Sequence, residues 1–181
     1  MASDGSRVLV AGVGNIFLGD DAFGVEVVRR LRAGGLPPGV RLADFGIRGL
    51  DLAYALLQKW DLVILVDAAT RGRAPGTLYL VQPDAPEAGA GIEVQGHGMV
   101  LPKVFAFARS LGRLPDRMVL VGCEPSTADE KEFSAGLSDA VRAAIEPAAD
   151  MVRDLADRAL QGDFRGIPVG VGNDRIERGP W

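Results

Sequence analysis

The apolar positions of this chain fall into short blocks whose spacing alternates between that of buried strands and that of one-sided helices. Arg7 to Ala11 is an apolar run rich in Val and Leu that stops at two closely spaced glycines, Gly12 and Gly14. A buried strand entering a tight turn has this form. Phe23, Val27, Val28 and Leu31 then recur on one helical face, with Glu26, Arg29 and Arg30 left for solvent. Pro37, Pro38 and Gly39 mark a turn, after which Val40 to Phe45 reads as a second strand. Gly49 to Trp60 reads as a second helix, with Leu50, Ala53, Leu56 and Leu57 on one side. Asp61 to Val66 is a continuous apolar, β-branched run, the pattern of a strand buried on both faces, and it ends at Asp67. Strand and helix alternating in this order predict a parallel sheet with helices on both faces.

The second half is less regular. Thr77 to Gln82 reads as a strand, expected to run antiparallel because no helix separates it from the third. Pro83 to Gly98 is a loop by composition, with at most a short extended piece at Ile92 to Val94. Met99 to Leu111 follows as a helix, with Leu101, Val104, Phe105, Ala108 and Leu111 in helical register. Met118 to Val121 is a short strand that stops at Gly122, Cys123, Glu124 and Pro125. Ser134 to Leu160 is helical by pattern, and Pro147 is expected to kink it or divide it after Glu146. From Asp163 onward periodicity disappears, which predicts a mobile tail. The expected architecture is an α/β fold. It has one domain over residues 1–162, a doubly wound, mostly parallel sheet of about five strands with helices on both faces, and a tail over 163–181.

Composition narrows the function. At 181 residues the chain fits one domain. A net charge of −4, with both signs interspersed, argues against nucleic acid or an acidic membrane surface as partner. The single cysteine, Cys123, excludes an internal disulfide and fits a reducing compartment. MASDGSR does not resemble a secretory signal, and no run of roughly 18 apolar residues is present, so a cytoplasmic protein without a membrane span is expected. There is one histidine, His97, which excludes any site that needs two.

Four features carry candidate chemistry. Gly12-x-Gly14 resembles the start of a dinucleotide fingerprint, and Asp44 ends the second strand as a ribose-binding acid would. Phe17 stands where the third glycine belongs, so a tight turn is the plainer reading and no nucleotide cofactor is expected. Asp21 and Asp67 follow the first and third strands. In a sheet wound in the common 2-1-3 order these strands are neighbours, and two carboxylates at that crevice can bind a cation or share a proton. Taken singly, Asp21 reads as a helix cap and Asp67 as a turn residue, and Asp20 is the better cap if Asp21 faces the crevice. His97, between two glycines, suits a ligand or acid/base role. With the two aspartates it completes an oxygen, oxygen, nitrogen set for zinc, nickel or a similar ion. Cys123 is either half of a thiol–imidazole pair or a small buried apolar residue. No serine sits in a G-x-S-x-G setting.

Together these segments resemble one family, the hydrogenase maturation endopeptidases, which remove a C-terminal extension from the large-subunit precursor of nickel-iron hydrogenases. The resemblance rests on GVGNIFLGDDAFG at 12–24, VILVDA at 63–68, GHGM at 96–99, GCEP at 122–125 and GLSDAV at 136–141. It implies that Asp21, Asp67 and His97 are the metal-binding positions, although the first of these is often Glu in relatives. It further implies that nickel, supplied by the precursor, is the recognition element. The hydrolytic step then falls either to a carboxylate, Asp21 or Asp67, that activates water or to the metal itself. Cys123 and Glu124 fall where relatives commonly carry other residues, which argues against a cysteine mechanism. The expected partner is the hydrogenase precursor, with neither nucleic acid nor membrane. A non-cleaving nickel checkpoint or chaperone is the alternative.

Overall fold

The computed structural model describes residues 7–83, 101–126 and 136–168. In chain order these form β1 (Val8–Val13), a single 3-10 turn (Gly19–Ala22), α1 (Phe23–Gly34), β2 (Val40–Gly46) and α2 (Gly49–Leu56). Next come β3 (Leu62–Ala68), β4 (Leu78–Val81), α3 (Leu101–Leu111), β5 (Met118–Cys123) and α4 (Asp139–Leu160). The strands make one sheet in the order β2-β1-β3-β5-β4. Only β4 runs antiparallel, on the edge beside β5.

Alternation along the strands assigns the two faces. Val8 and Val10 of β1, with Leu62, Ile64 and Val66 of β3, point into a core closed by α1 and α4. Leu9, Ala11 and Val13, with Val63 and Leu65, point the other way onto α2 and α3. Successive side chains of a strand face opposite sides, so a strand covered on both must be apolar throughout. That accounts for the unbroken runs in β1 and β3, and edge strand β2, mostly half-buried, shows no such run.

Several expectations are corrected. The helix expected from Ser134 begins at Asp139, where the Ser138 hydroxyl accepts the Val141 N–H as an N-cap. It runs through Pro147 without dividing. Pro147 and Ala143, whose carbonyl loses its donor, both lie on the exposed side, where water can serve that oxygen. Ala144, Ala148, Ala149 and Val152 hold the other side in the core. In α2 and α3 the buried arc is narrower than the apolar one, and Leu50 and Leu111 face solvent. The chain also keeps packing past residue 162. Ile167 is buried in the α1–α4 core, and the Arg117 guanidinium stacks 4.2 Å from the Phe164 ring centre. Ile92 to Val94 and residues 169–181 lie outside the described residues.

Candidate active site

The parallel register sets the ends of β1 and β3 side by side, with Gly12 opposite Val66. Asp67 follows Val66 and is not in a turn: β3 continues to Ala68, with Asp67 paired to Gly122 of β5. After β1 the chain doubles back sharply. Gly14 has φ of 131°, and a side chain there would place its Cβ 1.8 Å from the Asp21 carbonyl oxygen. Only glycine fits such an approach. The chain then makes the 3-10 turn that carries Asp20 and Asp21 and enters α1, which crosses the sheet closely. A Cβ on Gly24 would meet the Val66 carbonyl oxygen at 2.1 Å and that of Val13 at 2.3 Å. The turn therefore rests on the end of β3.

This packing brings Asp21 within electrostatic reach of Asp67. Burial holds the Asp67 carboxyl well above the usual carboxylate range, the negative charge of Asp21 raises it further, and a hydrogen bond from the Ala68 N–H acts in the opposite direction. Burial also raises Asp21, against a hydrogen bond from the Asn15 N–H to Asp21 Oδ2 at 2.6 Å. Two carboxylates that resist being charged together are relieved by one shared proton or by a cation. The donor set thus suits a metal ion and equally suits proton transfer. Neither Asp20 nor Asp21 caps α1, whose N-cap is Ala22 with no side-chain bond. His97 lies outside the described residues.

Asp20 has a role that sequence reasoning missed. It is buried, and it ties the 3-10 turn to two distant segments. The Ser138 N–H donates to its Oδ1 at 2.7 Å, while the Ser126 N–H and Ser138 hydroxyl donate to Oδ2 at 2.8 and 2.9 Å. Adjacent residues of one tight turn point apart, so one aspartate anchors while the next faces the crevice. Glu124 was likewise underrated. Its buried carboxylate accepts the Arg71 N–H at 2.8 Å, the Gly72 N–H at 3.1 Å and the Tyr79 hydroxyl. Burial alone would raise its pKa, but the Tyr79 hydroxyl and the N–H groups of Arg71, Arg73 and Gly72 outweigh that and hold it below its ordinary value.

Cys123 is fully buried, and burial, with the charges of Asp20 and Glu124, pushes its thiol up to about 12. A thiol so far from ionising is no nucleophile at neutral pH. The glycine turn departs from the dinucleotide pattern in its geometry as well. Phe17, in the place of the third glycine, is exposed, and a 3-10 turn intervenes before α1.

Residues 25–155 match the family model described as hydrogenase maturation protease. The chain belongs to that family. It is therefore an endopeptidase, as the motifs around Asp21 and Asp67 suggested. This maturation protease is 37% identical to the hydrogenase expression/formation protein HupD of Rhodobacter capsulatus, over 82% of its own length and 71% of the relative's. It is 33% identical to the hydrogenase 2 maturation protease of Escherichia coli, over 81% of its own length and 88% of that protein's. Among solved structures, the hydrogenase maturating endopeptidase HybD of E. coli superposes with a TM-score of 0.67 at 34% identity. That match covers 86% of this chain and 94% of the other. The HycI maturation protease of Thermococcus kodakarensis gives 0.61 at 26% identity, covering 86% and 95%. The α/β fold and the family expected from the motifs both stand.

Proposed function

We propose that this maturation protease removes the C-terminal extension of a nickel-iron hydrogenase large-subunit precursor once nickel has been inserted. The observation that carries the reading is the convergence of Asp21 and Asp67 at the carboxyl edge of β1 and β3, with each carboxyl raised above its ordinary range. Such a pair gains by meeting a cation, and the cation here arrives as part of the substrate. Asp21, Asp67 and His97 complete the coordination of the precursor's nickel, which lays the neighbouring peptide in the crevice and makes cleavage conditional on metal insertion. For the hydrolytic step, a carboxylate oxygen of Asp21 or Asp67 not engaged on the metal accepts the proton of the attacking water and passes it to the leaving amine. No nucleotide enters this scheme. No helix among the described residues is long and apolar enough to cross a membrane. The reading places the enzyme in the cytoplasm, where it meets a newly made precursor.

The test offers nickel-loaded and nickel-free precursor side by side and follows both by mass spectrometry. Only the loaded form should be shortened, and His97→Ala should leave it intact while the variant remains folded. Equal cleavage of both forms would overturn metal recognition. Normal processing by His97→Ala would remove His97 from the site, and binding without any shortening would mean a checkpoint protein.

A further inference from the structure

Apart from Leu111 at the end of α3, the exposed large apolar side chains of the described residues run from the loop after β1 across the start of α2 to α3. Ile16 and Phe17, on the loop after β1, are 42% and 67% exposed, and Ile47 and Leu50, just past β2, are each 62% exposed. Tyr54 of α2 and Phe107 of α3 continue the strip, their rings meeting edge to face with centroids 6.5 Å apart. The opposite layer is different. Its solvent side carries ion pairs of Arg29 with Glu26, Arg30 with Glu146, and Arg153 with Asp150. The strip has one ion pair among its members, Arg48 with Asp51 at 3.8 Å, and exposed apolar side chains that follow one another around such a polar element mark a surface that a partner covers.

The strip is continuous with the catalytic edge. Gly14 N–H donates to the Gly46 carbonyl at 3.1 Å, which fastens the loop of Phe17 to the end of β2 beside Ile47. Within that loop the Phe17 N–H donates to Asn15 Oδ1 at 3.0 Å, while the Asn15 N–H holds the Asp21 carboxylate at 2.6 Å. One small loop therefore displays apolar side chains outward and fixes a site carboxylate. A second copy of this chain seated there would cover the crevice that must admit substrate. From this continuity we infer that Ile16, Phe17, Ile47 and Leu50 form the docking surface for the protein substrate itself, which presents a matching apolar patch beside its scissile segment. The inference rests on the precursor being the substrate.

The experiment compares the wild-type protein, the double variant Phe17→Ser/Leu50→Ser, Ile47→Ser, and the control Asp157→Ser on the α4 face. Affinity for immobilised nickel-loaded precursor is read by biolayer interferometry, and KM and kcat by cleavage. The double variant should weaken Kd and KM by at least about tenfold with kcat within about twofold, as for loss of central anchors that bind ground and transition states alike. Ile47→Ser should move in the same direction, and the control should match wild type. All replaced side chains are exposed, so thermal unfolding should be unchanged. Affinity and KM within twofold of wild type in both apolar variants would overturn the surface. So would a wild-type dimer that the double variant makes monomeric. Binding that depends on Phe17 without any cleavage would instead sink the peptidase reading and leave the docking surface standing.

Discussion

Replacing Asp20 by Asn keeps the shape of the side chain and removes one acceptor from a site where every acceptor is used. The carboxylate takes the Ser138 N–H on one oxygen and the Ser126 N–H with the Ser138 hydroxyl on the other. An amide turned either way sets its NH2 against one of the two backbone N–H groups. That N–H, buried, loses its partner at a cost of about 1–3 kcal/mol, and each remaining bond loses its charge assistance, about 1 kcal/mol apiece. Relief of the cost of burying a charge works against these terms. The net expectation is a loss of roughly 2–3 kcal/mol, against a total stability for such a domain of about 5–15 kcal/mol. Asp20→Asn should therefore fold, with a urea midpoint lowered at unchanged m and a melting temperature reduced by roughly 5–10 °C. Because the same turn carries Asp21, kcat for precursor cleavage should fall more than the residual stability accounts for. A stability change under about 0.5 kcal/mol would refute the anchoring argument.

Two further outcomes follow from the buried groups at the end of β5, Cys123 and the next residue, Glu124. Cys123→Ala should retain cleavage within about twofold at a stability cost of about 1 kcal/mol, and iodoacetamide should label the wild-type thiol only after unfolding. A tenfold loss of activity would return the thiol to the mechanism. The Glu124 carboxyl lies lower in the folded protein than in the unfolded chain, so its contribution is fully present above the unfolded value of about 4.3 and is lost as pH falls through the folded one. Glu124→Gln should accordingly be less stable than wild type at pH 7 by about 1–3 kcal/mol, the gap closing on acidification below about pH 4, as read by urea titrations across pH. A gap that widened in acid would invert the argument.

What the sequence disclosed was what repeats locally. The strand pattern of Val8 to Val13 and Leu62 to Val66 names both cores, because a strand has only two faces and both are apolar here. Helical spacing is less informative, since Leu50 and Leu111 fit the period and yet face solvent. An apolar arc wider than the contact it makes does not reveal which edge is left over. Pro147 misled in the opposite sense, its missing N–H being on the wet side of α4. The proximity of Asp21 and Asp67 was legible through strand order, a rule of topology that needs no side-chain contact. The division of labour between Asp20 and Asp21 was not, because it depends on donors 106 and 118 residues away at Ser126 and Ser138.

That division explains how a repelling pair is kept together. Asp21 receives one backbone N–H from Asn15 and Asp67 one from Ala68; burial makes both carboxyls reluctant to ionise, and at Asp67 the charge of Asp21 adds to it. Left free, the turn Gly19–Ala22 would lift away from β3 and let the carboxylates separate into water. The Asp67 backbone is held in the ladder opposite Gly122, whereas Asp21 sits on a short turn, so backbone relaxation falls on the Asp21 side. Asp20 prevents it by fastening the turn to the segments after β5 and before α4 with three hydrogen bonds, and Gly24 lets α1 follow directly on Val66 without steric opposition. The turn is thus held by a neighbour of Asp21 and not by Asp21 itself, whose carboxyl takes the Asn15 N–H and has no part in the anchoring bonds.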